Sequence, residues 1–300
     1  MSKRLTVRHS TRYAYAAPVE FGEHRLMLRP RDSHDIRLVA ATLTLSPPAS
    51  LRWVHDVFGN SIAFASFAEP APTLEITSEL VIERYALDRP PAVLDPAAAR
   101  YPFVYSPDDR ADLGRLAELH HPDPKGDLLA WARGFVAGDT TDTLALLADI
   151  NLGIKNGFAY EARDAEGTQT PLETLGRGAG TCRDFAFLMV EALRALGIGA
   201  RFVSGYLYDP ALDGGTTGAG ATHAWVDAYL PGAGWIEYDP TNGLVGATSL
   251  IRVAVAREPG QAVPITGSFT GAAGDFLGLT VAVTVSADGP AAPTAAPTAA

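Results

Sequence analysis

From residue 5 to about residue 87, apolar and polar positions alternate with a period of two. Leu5, Val7, His9, Thr11, Tyr13 and Tyr15 fall on one side, and residues 38–45, 61–67 and 74–85 repeat the pattern. Turn-forming residues separate the runs, among them Pro47-Pro48, Gly59-Asn60 and Pro70-Ala71-Pro72. Short alternating strands with this spacing predict an antiparallel β-sandwich over residues 1–88. Residues 89–107, with Pro90, Pro91, Pro96, Pro102 and Pro107, read as a linker. Then the period changes. Residues 108–119, 127–136 and 141–156 predict helices, and the clearest helix follows Cys182. There Phe185, Leu188, Met189, Ala192, Leu193 and Leu196 form one apolar face, with Glu191 and Arg194 off it. Thr181 and Asp184 have the spacing of a capping box, and Gly197 suits the helix end. Alternation returns over 200–208, 222–230, 235–239, 250–256 and 279–285. The pattern predicts an α+β second domain over 108–286 and a disordered Ala/Pro/Thr tail over 287–300.

Composition narrows the function. The chain has 300 residues, 47% hydrophobic and 19% charged, enough to bury a core in each of two domains. A formal charge of −10 argues against nucleic acid or an anionic membrane as a partner, since both require a basic face. The start, Met1-Ser2-Lys3-Arg4-Leu5, shows no apolar leader, and no run is long enough to span a bilayer, so a cytoplasmic location is expected.

One cysteine is present, so an internal disulfide is ruled out. A lone cysteine is often a small buried hydrophobe. Cys182, however, sits at a helix N-terminus, where backbone N–H groups and the helix dipole favour a thiolate. Such a thiolate needs a base to take its proton and a third group to orient that base. His223 and Asp239 can fill these roles, on a hairpin that runs from Thr222-His223-Ala224-Trp225 through Pro231-Gly232-Ala233-Gly234 to Trp235-Ile236-Glu237-Tyr238-Asp239. If the turn centres on Gly232, facing residues sum to 464. Asp239 then lies opposite Trp225 and diagonal to His223 on the same face, at roughly 7 Å between backbones. An odd sum would send the two to opposite faces. Chelating pairs such as C-x-x-C or H-x-x-x-H are absent, so no metal and no cofactor are implied.

Gly180-Thr181-Cys182-Arg183-Asp184-Phe185-Ala186, Arg201-Phe202-Val203-Ser204-Gly205-Tyr206, Thr222-His223-Ala224-Trp225 and Trp235-Ile236-Glu237-Tyr238-Asp239-Pro240-Thr241-Asn242-Gly243 together resemble the bacterial branch of the transglutaminase-like, papain-like cysteine superfamily. Residues 13–19 and 24–31 resemble that family's N-terminal β-sandwich domain. The resemblance implies a transglutaminase-like catalytic domain with Cys182 as nucleophile, His223 as general acid/base and Asp239 as the orienting residue. It also implies acyl transfer from a glutamine-type carboxamide or a peptide bond, through a thioester, to an amine or water. Arg183 and Phe187 depart from the glutamine and histidine common in the family. Tyr160, in Phe158-Ala159-Tyr160, matches a family motif and is the candidate second oxyanion donor, beside the Cys182 N–H. Trp225 and Asp184 are further oxyanion or substrate candidates.

The expected partners are a peptide or protein substrate and a small amine acceptor. A cysteine peptidase or isopeptidase would use the same three residues, and a scaffold protein with a relic fold is the non-enzymatic alternative. Residues 209–220, which are glycine-rich, read as a substrate flap ahead of His223 or as a surface insertion.

Overall fold

The chain opens with β1 (Ser2–Phe21), β2 (His24–Arg29), β3 (Ile36–Ser46), β4 (Ala49–His55), β5 (Ser61–Phe67) and β6 (Ala71–Tyr85). The computed structural model describes residues 2–85, 92–162, 167–208, 221–246, 249–272 and 274–287. β1, β6 and β3 pair antiparallel in one sheet, while β2, β5 and β4 form a second. Alternation dictates the stacking. Leu26, Leu28, Ala63, Ala65, Leu74 and Ile76 are buried between the sheets with Tyr15, Val19 and Phe21 of β1.

Among the described residues five α-helices follow: α1 (Pro107–Leu113), α2 (Asp127–Arg133), α3 (Thr143–Gly157), α4 (Pro171–Arg177) and α5 (Cys182–Ala195). A third sheet is built from β7 (Ala200–Leu207), β8 (His223–Leu230), β9 (Gly234–Asp239) and β10 (Leu250–Ala256), in the order β9-β8-β7-β10 with a short strand, Leu244–Val245, outside β9. Leu188, Met189, Ala192 and Leu193 of α5 share a core with Ala224, Val226 and Ala228 of β8. The fold class is α+β, an antiparallel sheet domain joined to a helix-and-sheet domain.

Two boundaries differ from the sequence reading. The second domain does not run to residue 286. Ile265–Thr266 pairs with β2, Phe269–Thr270 pairs with the end of β1, and a last strand, β11 (Phe276–Ala287), pairs with β1 from Leu5 to Tyr15. The chain thus returns to complete the sandwich. The proline-rich segment is also no free linker where described: Asp95 N–H donates to Pro231 O at 2.8 Å, the Thr143 hydroxyl to Ala98 O at 2.6 Å, and the Tyr105 hydroxyl to Tyr229 O at 2.7 Å. Residues 288–300 lie outside the described residues.

β1 is long enough to serve two cores. Its second half fills the sandwich, while Leu5 and Val7 pack with Ile36, Leu80 and Ile82 against Tyr206, Ile251 and Val253 of the third sheet. His9 is fixed at this seam, with Nδ1 hydrogen-bonded to the Tyr206 hydroxyl at 2.9 Å and Nε2 to Thr11 Oγ1 at 2.9 Å. Burial pushes its pKa down to about 4. Because the folded value lies below the unfolded one, the unfolded chain binds more protons as pH falls through 6.5 towards 4, and stability drops in that window. The loss should reach about 3 kcal/mol below pH 4. Urea unfolding across pH checks this: His9→Gln should flatten the acid-side decline, and an unchanged slope would contradict the assignment.

Helix α5 is buried on every side, which its single apolar stripe does not announce. Glu191 and Arg194, off that stripe, form an ion pair at 2.7 Å with both side chains fully buried. Glu191 also accepts the backbone N–H groups of His120 and His121, and Arg194 donates to the carbonyls of Leu116, Ala200 and Arg257. The pair therefore fastens the helix to two loops. Glu191→Ala should cost about 3–5 kcal/mol in unfolding free energy, because Arg194 would remain buried without its counter-charge. A loss under about 1 kcal/mol would show that the carbonyls suffice.

Candidate active site

Cys182 is the first residue of α5, and its position is set by Asp184. The Asp184 carboxylate accepts the Thr181 N–H at 2.8 Å, the Thr181 hydroxyl at 2.9 Å and the Gln169 N–H at 2.7 Å. A Cβ on Gly180 would lie 2.8 Å from the Asp184 Cβ, so glycine is required there by contact. The run Gly180-Thr181-Cys182-Arg183-Asp184 is thus a helix start whose cap places the thiol.

His223 opens β8 and Asp239 closes β9. Paired residues run from Val226↔Tyr238 to Leu230↔Gly234, each pair summing to 464, around a loop of Pro231, Gly232 and Ala233. Gly232 and Gly234 have φ of 86° and 72°. The even register puts Asp239 on the face of His223. His223 Nε2 and Asp239 Oδ2 are 2.8 Å apart with both side chains fully buried. Asp239 Oδ1 accepts the N–H groups of Thr241 (3.0 Å) and Asn242 (3.3 Å), and Oδ2 also accepts the Asn242 side-chain amide at 2.8 Å.

These contacts determine charge. Burial alone would push the His223 ring down, but the charge and hydrogen bond of Asp239, helped by Cys182, outweigh it and raise the pKa to about 10. Burial would likewise raise the Asp239 carboxyl, yet His223, Asn242 and Thr241 hold it below its ordinary value. An Nε2–H donated to the carboxylate leaves Nδ1 for Cys182, the other side chain that acts on the ring. Nδ1 meets no partner in hydrogen-bond geometry, so this contact is looser than the one to Asp239. The Trp225 indole stacks with the ring at 6.0 Å between centroids.

The family described as the bacterial transglutaminase-like N-terminal region matches residues 5–83, and the transglutaminase-like superfamily matches residues 129–240. An uncharacterized protein of Mycobacterium tuberculosis is 30% identical over 88% of this chain and 87% of its own length. One of Mycobacterium leprae is 28% identical over 94% and 98%. The chain belongs to the transglutaminase-like superfamily. Its fold also matches that of a candidate cysteine protease from Cytophaga hutchinsonii, with a TM-score of 0.70 at 19% identity over 98% of this chain and 93% of the other.

In this transglutaminase-like protein the remaining candidates separate by exposure. Tyr160 is 42% exposed, lies in a short parallel pairing with Gly180, and has its ring 6.3 Å from that of Phe185. Burial first, then the charges of Cys182 and Asp184, raise its pKa, so the phenol stays a hydrogen-bond donor. Trp225 and Asp184, read as oxyanion or substrate candidates, are both 0% exposed. Trp225 packs with Val203, Leu207, Leu250 and Val255 beside His223, and the Asp184 carboxylate is held in the cap, so neither side chain reaches the surface of the site. Among the described residues no cluster of three or more His, Cys, Asp or Glu is placed to hold a metal ion, and no helix is long and apolar enough to cross a membrane. The glycine-rich segment 209–220 lies outside the described residues.

Two site features escaped the sequence reading. Asn242 fixes Asp239 through its amide, and the Asn-Gly step after Asp-Pro-Thr was the available signal. Gly205, opposite His223, lets Trp225 lie flat: a Cβ there would sit 2.7 Å from the indole and 2.1 Å from Ile251 O.

Proposed function

We propose that this protein is a cysteine acyl-transfer enzyme acting on a glutamine-type carboxamide or a peptide bond. The observation carrying the reading is the buried 2.8 Å His223–Asp239 contact, with Cys182 the other side chain that acts on the ring. The Cys182 thiolate attacks the carbonyl carbon, and the resulting oxyanion is met by the Cys182 N–H and the Tyr160 hydroxyl. Collapse breaks the C–N bond as His223 gives its proton to the leaving amine, leaving a thioester. An amine or water then attacks, His223 takes the proton, and the thiolate is regenerated. Cys182 is 7% exposed, which favours a slender donor such as a glutamine side chain over a folded main chain.

The peptidase or isopeptidase reading differs only in the acceptor. A reducing cytoplasm is the proposed setting, where a lone thiol stays free. Incubating the protein with a glutaminyl peptide, with and without a primary amine, tests the reading by mass. A gain of the amine with loss of ammonia supports transfer, deamidation supports hydrolysis, and no thioester or product on any glutaminyl or peptide donor overturns the proposal.

A further inference from the structure

β11 is the edge of the long sandwich sheet. It pairs with β1 in unbroken register from Leu5↔Ala287 to Ala14↔Gly278, and among the described residues no strand pairs with its other side. An open strand edge is a template for another strand, and edges normally carry charges, prolines or bulges that prevent this; β11 has one bulge, at Leu277, and then runs unbroken from Gly278 to Ala287. The opposite edge of the same sheet has such devices, with a bulge between Leu38 and Ala40 and Arg37 placed near Glu83. On the second sheet, edge strand β4 carries Arg52, beside Glu23. Phe276–Ala287 contains no Lys, Arg, Asp, Glu or Pro. Its apolar face also outruns the core. Val283 is 5% exposed, yet Leu279 and Val281 on the same side are 50% and 44% exposed, and neighbouring Leu277 is 65% exposed.

We infer that β11 pairs antiparallel with β11 of a second copy of this chain across a two-fold axis, joining the two sheets edge to edge. The strand is complementary to itself. About Ala282, Val281 would meet Val283, Thr280 would meet Thr284, and Leu279 would meet Val285, so valine and threonine find cross-strand partners on their own faces. A formal charge of −10 makes two copies repel elsewhere, but this strip brings no charge to the contact. A two-fold contact uses the same patch on both copies, as this pairing does. A partner recognised by charge would find nothing here to read.

Sedimentation velocity on the full chain from about 1 to about 100 μM tests the pairing, a range that spans an ordinary dimer affinity. The expected species has twice the 31.6 kDa chain mass. Thr284→Lys, on the exposed face, and Val281→Lys should each weaken association at least about tenfold, which is about 1.4 kcal/mol. Thermal unfolding confirms that each variant folds, and Thr284→Lys serves if Val281→Lys does not. Val39→Lys on the opposite edge should leave the dimer intact. A wild-type monomer throughout the range, or a dimer indifferent to both β11 variants, overturns the inference.

Discussion

Cys182→Ala should abolish turnover, and His223→Gln should lower kcat by about four to six orders of magnitude, equivalent to about 5–8 kcal/mol of transition-state stabilisation. Nucleophile and base act as one unit, so either loss alone removes the covalent step. The double variant should be scarcely worse than either single one. Folding can be separated from chemistry. Cys182→Ala removes one sulfur from a site at the core margin, so its unfolding midpoint should barely move. Glutamine at 223 keeps a polar side chain against Asp239, whereas alanine would strand a buried carboxylate and cost about 3–5 kcal/mol. Iodoacetamide labelling gives a second readout, since alkylation of Cys182 should slow in His223→Gln. Activity within about tenfold of wild type in either variant would remove Cys182 and His223 from the chemistry.

The hairpin was legible because its chemistry and its turn constrain each other. For Asp239 to face His223 the register must be even, which a three- or five-residue loop or a bulge allows, and the loop of Pro231, Gly232 and Ala233 meets that demand. The start of α5 was legible for a similar reason, since Thr181 and Asp184 announce the cap. Helix α4 was missed, although Thr170-Pro171 with Glu173 writes a capping box and a proline at the first turn.

What stayed hidden is non-local. Nothing near residues 276–287 says that they pair with β1 at the far end of the chain, because alternation fixes which side chains share a face and not which strand lies alongside. Glu191 and Arg194 look solvent-facing by periodicity. They are buried because α5 is enclosed by loops whose backbone groups satisfy them. Trp225 shows the same limit at the site, since an aromatic beside a candidate catalytic histidine reads equally as substrate wall or as support. Only its full burial over Gly205 decides for support.

Asp239→Asn should lower kcat/KM by about two to four orders of magnitude, the range expected when an orienting carboxylate becomes a neutral amide. Its distinguishing signature is in the pH profile. In the wild type the Asp239 charge overcomes the desolvation of His223 and holds the ring pKa near 10, so the ring keeps its proton well above neutral pH. The same linkage makes the pair stabilising between two limits. The His223 contribution is complete below its unfolded value of about 6.5 and fades as pH rises through the folded value. The Asp239 contribution is complete above its unfolded value of about 3.9 and fades as pH falls through its depressed one. Asparagine removes the charge while burial remains, so burial prevails, the His223 pKa falls, and the alkaline limb of kcat/KM moves towards neutral pH. Asn242→Ala, which removes one donor to Oδ2 and keeps the charge, should reduce rate while moving that limb far less. If Asp239→Asn lost rate with its alkaline limb unmoved, Asp239 would be a structural residue of the β9 turn, and the charge of His223 would have another source.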